Sequence, residues 1–157
     1  MNAAAELRRA GAADLARIAA LEAACFTAGD GGFSRRQLRA LLANPRAHWL
    51  IAGDAGAAAC WLTAGNGRQR WARLYSLAVH PAARGRGLAR HLLAAGDAWM
   101  ARAGLATLRA EVKADNLAAR RLYAMHGFRE IARLPGYYAP GVDGIRLEKR
   151  LNTACGG

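Results

Sequence analysis

The residues best suited to chemistry lie between Arg73 and Phe128. An apolar run, Leu74 to Val79, is followed by His80-Pro81, then by Arg84-Gly85-Arg86-Gly87-Leu88-Ala89, then by a long amphipathic stretch. A strand that feeds a glycine-rich turn and then a helix makes an anion site. The first amides of the helix lack intrahelical partners, and its dipole places about half a positive charge there. A side chain at Gly85 or Gly87 would stand between those amides and a phosphate, or would forbid a positive φ. Arg84 and Arg86 add charge-assisted donors. Taken alone the run also fits a solvated basic turn. Downstream stand a carboxylate, Glu111, an amide, Asn116, and a phenol, Tyr123. A phenol with a pKa of about 10 stays protonated at neutral pH and can donate that proton, while a carboxylate can accept one.

Two familiar phosphate loops fail here. The dinucleotide fingerprint needs a third glycine three residues after the second, and Arg90 holds that position. The nucleotide P-loop run of Gly-x-x-x-x-Gly-Lys-Ser/Thr is absent. What the residues do resemble is the acyl-CoA loop of the GNAT superfamily of N-acetyltransferases, Gln/Arg-x-x-Gly-x-Gly/Ala, which Arg84, Gly87 and Ala89 satisfy. Asn116, Ala119 and Tyr123 fit that superfamily's Asn-x-x-Ala-x-x-x-Tyr helix, followed by Gly127-Phe128. Order and spacing agree from about Glu6 to Leu151. Within the superfamily the chain looks most like the ribosomal-protein alanine N-acetyltransferase branch, through Ala110-Glu111-Val112, the Asn116-to-Tyr123 helix and the pair Tyr137-Tyr138.

The resemblance implies acetyl transfer from acetyl-CoA to a primary amine by direct attack in a ternary complex. It makes Glu111 the group that helps deprotonate the amine and Tyr123 the donor to the departing thiolate. It assigns Leu77, Val79, Arg84, Gly85, Arg86, Gly87, Leu88, Ala89 and Asn116 to the coenzyme. Phe33, Tyr137 and Tyr138 fall in the segments that shape the acceptor pocket. An α-amine of pKa about 8 is ~10% neutral at pH 7, whereas a lysine of pKa about 10.4 is ~0.04% neutral. A weak base therefore suits a peptide or protein N-terminus. A small amine, such as a polyamine or antibiotic, is the other acceptor class, and a non-catalytic CoA- or RNA-binding module is the competing reading. The sequence departs from the alanine acetyltransferase branch at Gly144-Ile145-Arg146-Leu147 and at Arg109, a position usually apolar there.

Each of these residues also has a purely structural reading. Tyr123 fits a ring packed at the sheet end, although helix geometry at about 100° per residue sets it with Asn116 and Arg120, opposite an expected core face of Ala118, Leu122 and Met125. Glu111 alternates onto one strand face with Arg109 and Lys113, so an ion pair with either neighbour is expected. Asn116 fits a helix N-cap. Tyr137 and Tyr138 fit ordinary packing within a loop from Pro135 to Gly144. His80 precedes Pro81 in a turn, and His48, His91 and His126 have no evident partner in the sequence.

The positioning elements follow from periodicity and punctuation. Strands are expected at 5–9, 71–79, 106–112, 128–134 and 144–150, with a hairpin of 47–53 and 57–64 turning at Asp54-Ala55-Gly56. Helices are expected at 12–25, at 87–103 with Leu88, Leu92, Ala95 and Trp99 on one face, and at 116–126 with Gly127 as a left-handed stop. Another starts at a Ser34/Gln37 capping box and ends near Asn44-Pro45. Strands alternating with helices in the centre imply parallel pairing there, and hairpins imply antiparallel pairing at the flanks. The expected fold is a mixed, mostly antiparallel α/β sheet of six to seven strands with helices on both faces.

The 157 residues suit a single domain, with a core at 5–151 and a loose tail at 152–157, large enough to bury roughly 70% of its unfolded surface. The 23 Lys and Arg against 11 Asp and Glu give a net charge of +12, which speeds encounter with anionic partners such as a coenzyme rich in phosphate. Arg68, Arg70 and Arg73 around Trp71 suit either a nucleic-acid patch or a charged turn, and no nucleic-acid module motif is present. Three scattered cysteines, Cys25, Cys60 and Cys155, make neither a disulfide framework nor a zinc site, so no metal is expected. Without a secretory signal or an apolar run of ~18 residues, the chain reads as cytoplasmic and free of the membrane, as monomer or homodimer.

Overall fold

A computed structural model describes residues 6–26, 32–53 and 55–151. The elements in chain order are β1 (Leu7–Arg9), α1 (Leu15–Cys25), α2 (Arg35–Ala43), β2 (Ala47–Ala52), β3 (Ala57–Ala64), β4 (Trp71–Val79), α3 (Leu88–Ala103), β5 (Thr107–Lys113), α4 (Leu117–Met125), β6 (Arg129–Ala139) and β7 (Val142–Arg150). Seven strands form one sheet in the order β1-β2-β3-β4-β5-β7-β6. The β1–β2, β2–β3, β5–β7 and β6–β7 pairs are antiparallel, and β4–β5 is parallel through Ala72↔Leu108 and Arg73↔Arg109. The mixed sheet with parallel pairing at its centre is the one expected.

The chain divides into two compact units, one drawn from Met1–Leu62 and Tyr75–Ala94, the other from Thr63–Leu74 and Ala95–Gly157. In the first, α1 buries Ile18, Leu21 and Glu22, and α2 buries Leu38. These join Trp49, Ile51, Ala58, Cys60 and Ala78 in one core. The predicted capping box is present: Ser34 Oγ accepts from the Gln37 amide (3.1 Å) and Gln37 Oε1 accepts from the Ser34 amide (2.8 Å). The β2–β3 hairpin turns where expected, although Asp54 lies outside the described residues. Asp14, at the start of α1, accepts a forked pair of bonds from Arg8 (2.6 and 3.1 Å) and one from the Gly11 amide (2.9 Å).

In the second unit the β5–β7 register sets charges opposite one another: Glu111 faces Arg146, and Arg109 faces Glu148. Arg109 Nε lies 3.0 Å from Glu148, and its guanidinium sits 5.0 Å from the Trp71 ring. This corrects the expectation that Glu111 pairs with Arg109 or Lys113. Same-strand neighbours at i and i+2 point the same way, but a cross-strand partner comes closer. The last hairpin is also longer than expected. Pro135 to Gly144, expected as a loop, is mostly strand, with β6 running on to Ala139 and the turn at 140–141. A register shift between Leu134 and Ala139 absorbs Pro135 and Gly136, the residues that signal a loop. In α3 the buried positions are Leu92, Leu93, Gly96 and Met100 rather than the expected Leu88, Ala95 and Trp99, which are half-buried.

Candidate active site

The anion loop belongs to the first unit. Pro81 opens a 3-10 turn, Pro81–Ala83, and His80 Nδ1 caps it by accepting the Ala82 amide (3.0 Å). His80 thus has a structural role. Gly85 (φ +83°) and Gly87 (φ +75°) are left-handed, and a Cβ at either would meet nothing within 4 Å. The space above both residues is therefore open to a ligand. The Gly87 carbonyl accepts the His91 amide (3.0 Å), so the helix begins at the second glycine. Arg84, Gly85, Arg86 and Gly87 are exposed, and Leu88 and Ala89 half-buried. These features fit a phosphate cradle, with amides at the helix start and two flanking guanidiniums.

The strand that leads into this loop is tied down. The Val79 carbonyl accepts from the Cys25 thiol (3.2 Å) and from Arg84 Nε (3.3 Å), so it is engaged twice within the protein. Leu77 lies on the same half-buried side of β4 as Val79. Gly56, expected only as part of the β2–β3 turn, supports the loop. Its carbonyl accepts the His80 amide (2.8 Å), and a Cβ there would stand 3.4 Å from Ala83 and 3.8 Å from Leu88. Beneath, the buried Glu22 accepts from Ser76 Oγ (3.0 Å), and burial pushes its carboxyl up. Phe33, assigned to the acceptor pocket, stacks on Tyr75 at 5.3 Å.

The second unit holds the groups that could move protons. Asn116 is the N-cap of α4, its Oδ1 accepting the Ala119 amide (3.1 Å), as its structural reading anticipated. Tyr123 corrects the helical-face expectation. It is the buried residue of α4, at 8% exposure, whereas Met125 is 71% exposed. Gly127, left-handed at φ +94°, turns the chain so that Phe128 returns edge-on to the Tyr123 ring at 5.1 Å. That aromatic contact decides which side of a short, alanine-rich helix faces inward. Burial, with a smaller contribution from Tyr138, pushes the Tyr123 hydroxyl above its ordinary value, so it remains a protonated donor at neutral pH.

Glu111 is 6% exposed at its side chain and engaged on both oxygens: Oε1 lies 2.6 Å from Arg73 and Oε2 lies 3.6 Å from Arg146. Tyr137 joins them, its hydroxyl accepting from Arg73 (3.1 Å) and lying 3.5 Å from Glu111 Oε1. Tyr137 and Tyr138 meet edge to face at 5.0 Å, and both remain about 40% exposed. Burial first, then Tyr137 and Glu111, push the Tyr138 hydroxyl up to about 12, with Arg73 opposing. Arg73 belongs to this cluster, while Arg70 donates to the Ala103 carbonyl (3.1 Å), which favours the charged-turn reading of that segment. His126 does have a partner, Asp97 at 3.2 Å, which also takes Lys149 at 2.5 Å.

Residues 15–128 match the model of the acetyltransferase (GNAT) family. The chain belongs to that family. It is 40% identical over 75 residues to the ribosomal protein bS18-alanine N-acetyltransferase of Haemophilus ducreyi, covering 48% of this chain and 51% of that protein. The chain thus spans about half the length of the curated relative it matches. The ribosomal-protein-S18-alanine N-acetyltransferase of Escherichia coli superposes with a TM-score of 0.82 at 25% identity, over 94% of each chain. NAA60 of Arabidopsis thaliana, solved with a bisubstrate analogue, shares the fold with a TM-score of 0.83 at 17% identity, over 96% of this chain and 99% of that one. The family match takes in the anion loop, Glu111 and α4, and stops before Tyr137, Tyr138 and Arg146. Among the described residues no helix is long and apolar enough to cross a membrane, and no cluster of side chains could hold a metal ion.

Proposed function

We propose that this chain transfers the acetyl group of acetyl-CoA to a primary amine, an α-amine at a protein or peptide N-terminus. The observation that carries the reading is the pair of left-handed glycines at the start of α3, with open space above both. Pyrophosphate oxygens would accept from the amides around Gly85–Ala89 and from Arg84 and Arg86. Leu77 and Val79 on β4, and separately Asn116 at the start of α4, are the groups proposed for the pantetheine arm.

The bond made is between amine nitrogen and acetyl carbon, and the bond broken is between that carbon and sulfur. The departing thiolate takes the Tyr123 proton. The attacking nitrogen loses its own proton through water to Glu111. Because both Glu111 oxygens already face guanidiniums, this base shares its lone pairs and suits an acceptor already partly neutral at pH 7. Calorimetric titration with acetyl-CoA should give saturable one-site binding, and a peptide with a free N-terminal alanine should then release CoA thiol. Absence of acetyl-CoA binding would overturn the proposal.

A further inference from the structure

Two guanidiniums, Arg73 and Arg146, converge on a single carboxylate, Glu111, so the three side chains together carry a net positive charge. The charge is not hidden. The two arginine side chains are 35% and 37% exposed, whereas Glu111 is 6% exposed. The adjacent Arg109 does not add to it, being matched by Glu148 across the β5–β7 pair. Arg146 is held loosely, 3.6 Å from Glu111, while Arg73 is held at 2.6 Å and also donates to Tyr137. The two exposed tyrosine rings stand beside the arginines, and Gly144 makes room for them: a Cβ there would lie 3.1 Å from the Tyr138 ring and 3.2 Å from that of Tyr137. Tyr137 ties the rings to the proposed base, its hydroxyl lying 3.5 Å from Glu111 Oε1 and its ring 5.0 Å from that of Tyr138.

Resting on the proposed acetyl transfer, we infer that Arg73 and Arg146 select acceptors carrying a carboxylate within one residue of the reacting amine. A planar guanidinium fork matches a carboxylate, and a partly desolvated bond of this kind favours the charged acceptor by about tenfold. The carboxylate has two possible sources: the side chain of an acidic second residue in a peptide, or the α-carboxylate of a free amino acid. Arg146, on β7, is the discriminating group, because its hold on Glu111 is the weaker one.

The test uses hexapeptide amides beginning Ala-Asp, Ala-Ser and Ala-Arg, with L-alanine and L-alaninamide as the second pair. Thiol release gives kcat and KM. Equilibrium binding of the same acceptors to the CoA-loaded protein gives affinity without turnover. The Asp peptide should have a KM about tenfold below that of the Ser peptide and bind correspondingly tighter, with the advantage shrinking as salt rises. Arg146→Gln should bring that ratio close to one, and Arg146→Glu should move the preference to the Arg peptide. Arg109→Gln should leave the ratio as in the parent. If L-alanine exceeds L-alaninamide while the peptides are equal, the carboxylate belongs to free amino acids. Equal KM and equal affinity across both pairs would overturn the inference even if acetyl transfer is robust. Tighter binding of the carboxylate acceptors without any turnover would uphold carboxylate recognition by the two arginines and overturn the acetyl transfer.

Discussion

The anion loop at the start of α3 and the charged, aromatic cluster of β4–β7 are built on opposite plans. The loop works through backbone: two left-handed glycines, a proline-started turn and the first amides of a helix. The cluster works through side chains from different strands, with Arg73, Glu111, Tyr137 and Arg146 meeting only after the strands have paired. A backbone site tolerates change in its flanking side chains but not in its dihedral angles. A side-chain site responds to the loss of a single atom. The family match covers the first and only part of the second: residues 15–128 take in the loop and Glu111 and stop before Tyr137 and Arg146.

The contrast can be broken most sharply at Gly87. Gly87→Glu imposes a side chain on a φ of +75° and brings a negative charge to the helix start, so acetyl-CoA affinity should fall by about 100-fold or more. Calorimetry reads it, and affinity within twofold of the parent would place the phosphates elsewhere. Tyr123→Phe removes one oxygen and should cost about 100- to 1,000-fold in kcat with acetyl-CoA affinity retained. Because the hydroxyl is held above its ordinary value, its proton stays in place as pH rises, and its deprotonation should not limit kcat below about pH 10. Glu111→Gln should cost only about tenfold in kcat, since an α-amine needs little help. A loss as large as that of Tyr123→Phe would show that the base matters as much as the acid.

Two smaller effects sharpen the same division. Gly144→Ala should raise acceptor KM several-fold by displacing the Tyr137 and Tyr138 rings, without altering acetyl-CoA binding. At the start of α1, Asp14 is held down at about 2 by Arg8 first and by the Gly11 amide second. A depressed carboxyl stabilises the fold above its unfolded value near 3.9, and that contribution is lost as pH falls from about 4 toward 2. After allowance for the half-exposed Arg8 it amounts to about 1 kcal/mol, measurable as the parent-to-Asp14→Asn difference in urea midpoint, full at pH 7 and closing only below pH 2.

The sequence made the loop legible because its determinants are neighbours: Gly85, Gly87 and Pro81 act within a few residues of where they stand. The Ser34/Gln37 cap and the Gly127 stop were readable for the same reason. The cluster was not readable, since nothing local to Glu111 points to Arg73 or Arg146. One signal was available. Arg109-x-Glu111 on β5 and Arg146-x-Glu148 on β7 are complementary when antiparallel, and pairing the two motifs gives the observed register. Tyr123 was assigned its role by resemblance and the wrong face by periodicity, because Phe128, beyond the helix end, determines the inward side. Pro135 and Gly136 suggested a loop, but a strand can carry both where its register shifts.

That shifted register has a consequence for how the molecule behaves in company. β6 comes last in the strand order of the described residues, where an uncovered edge invites a neighbouring molecule to add a strand. Proline at 135 has no amide hydrogen to offer, and the Gly136 amide is already given to Asp143 Oδ1 at 2.9 Å. Asp143 lies on β7, so the Gly136 amide faces the paired side, and Pro135 is the position within this eleven-residue edge that has no donor. The proline that signals a loop in the sequence thus also interrupts the row of donors an added strand would need.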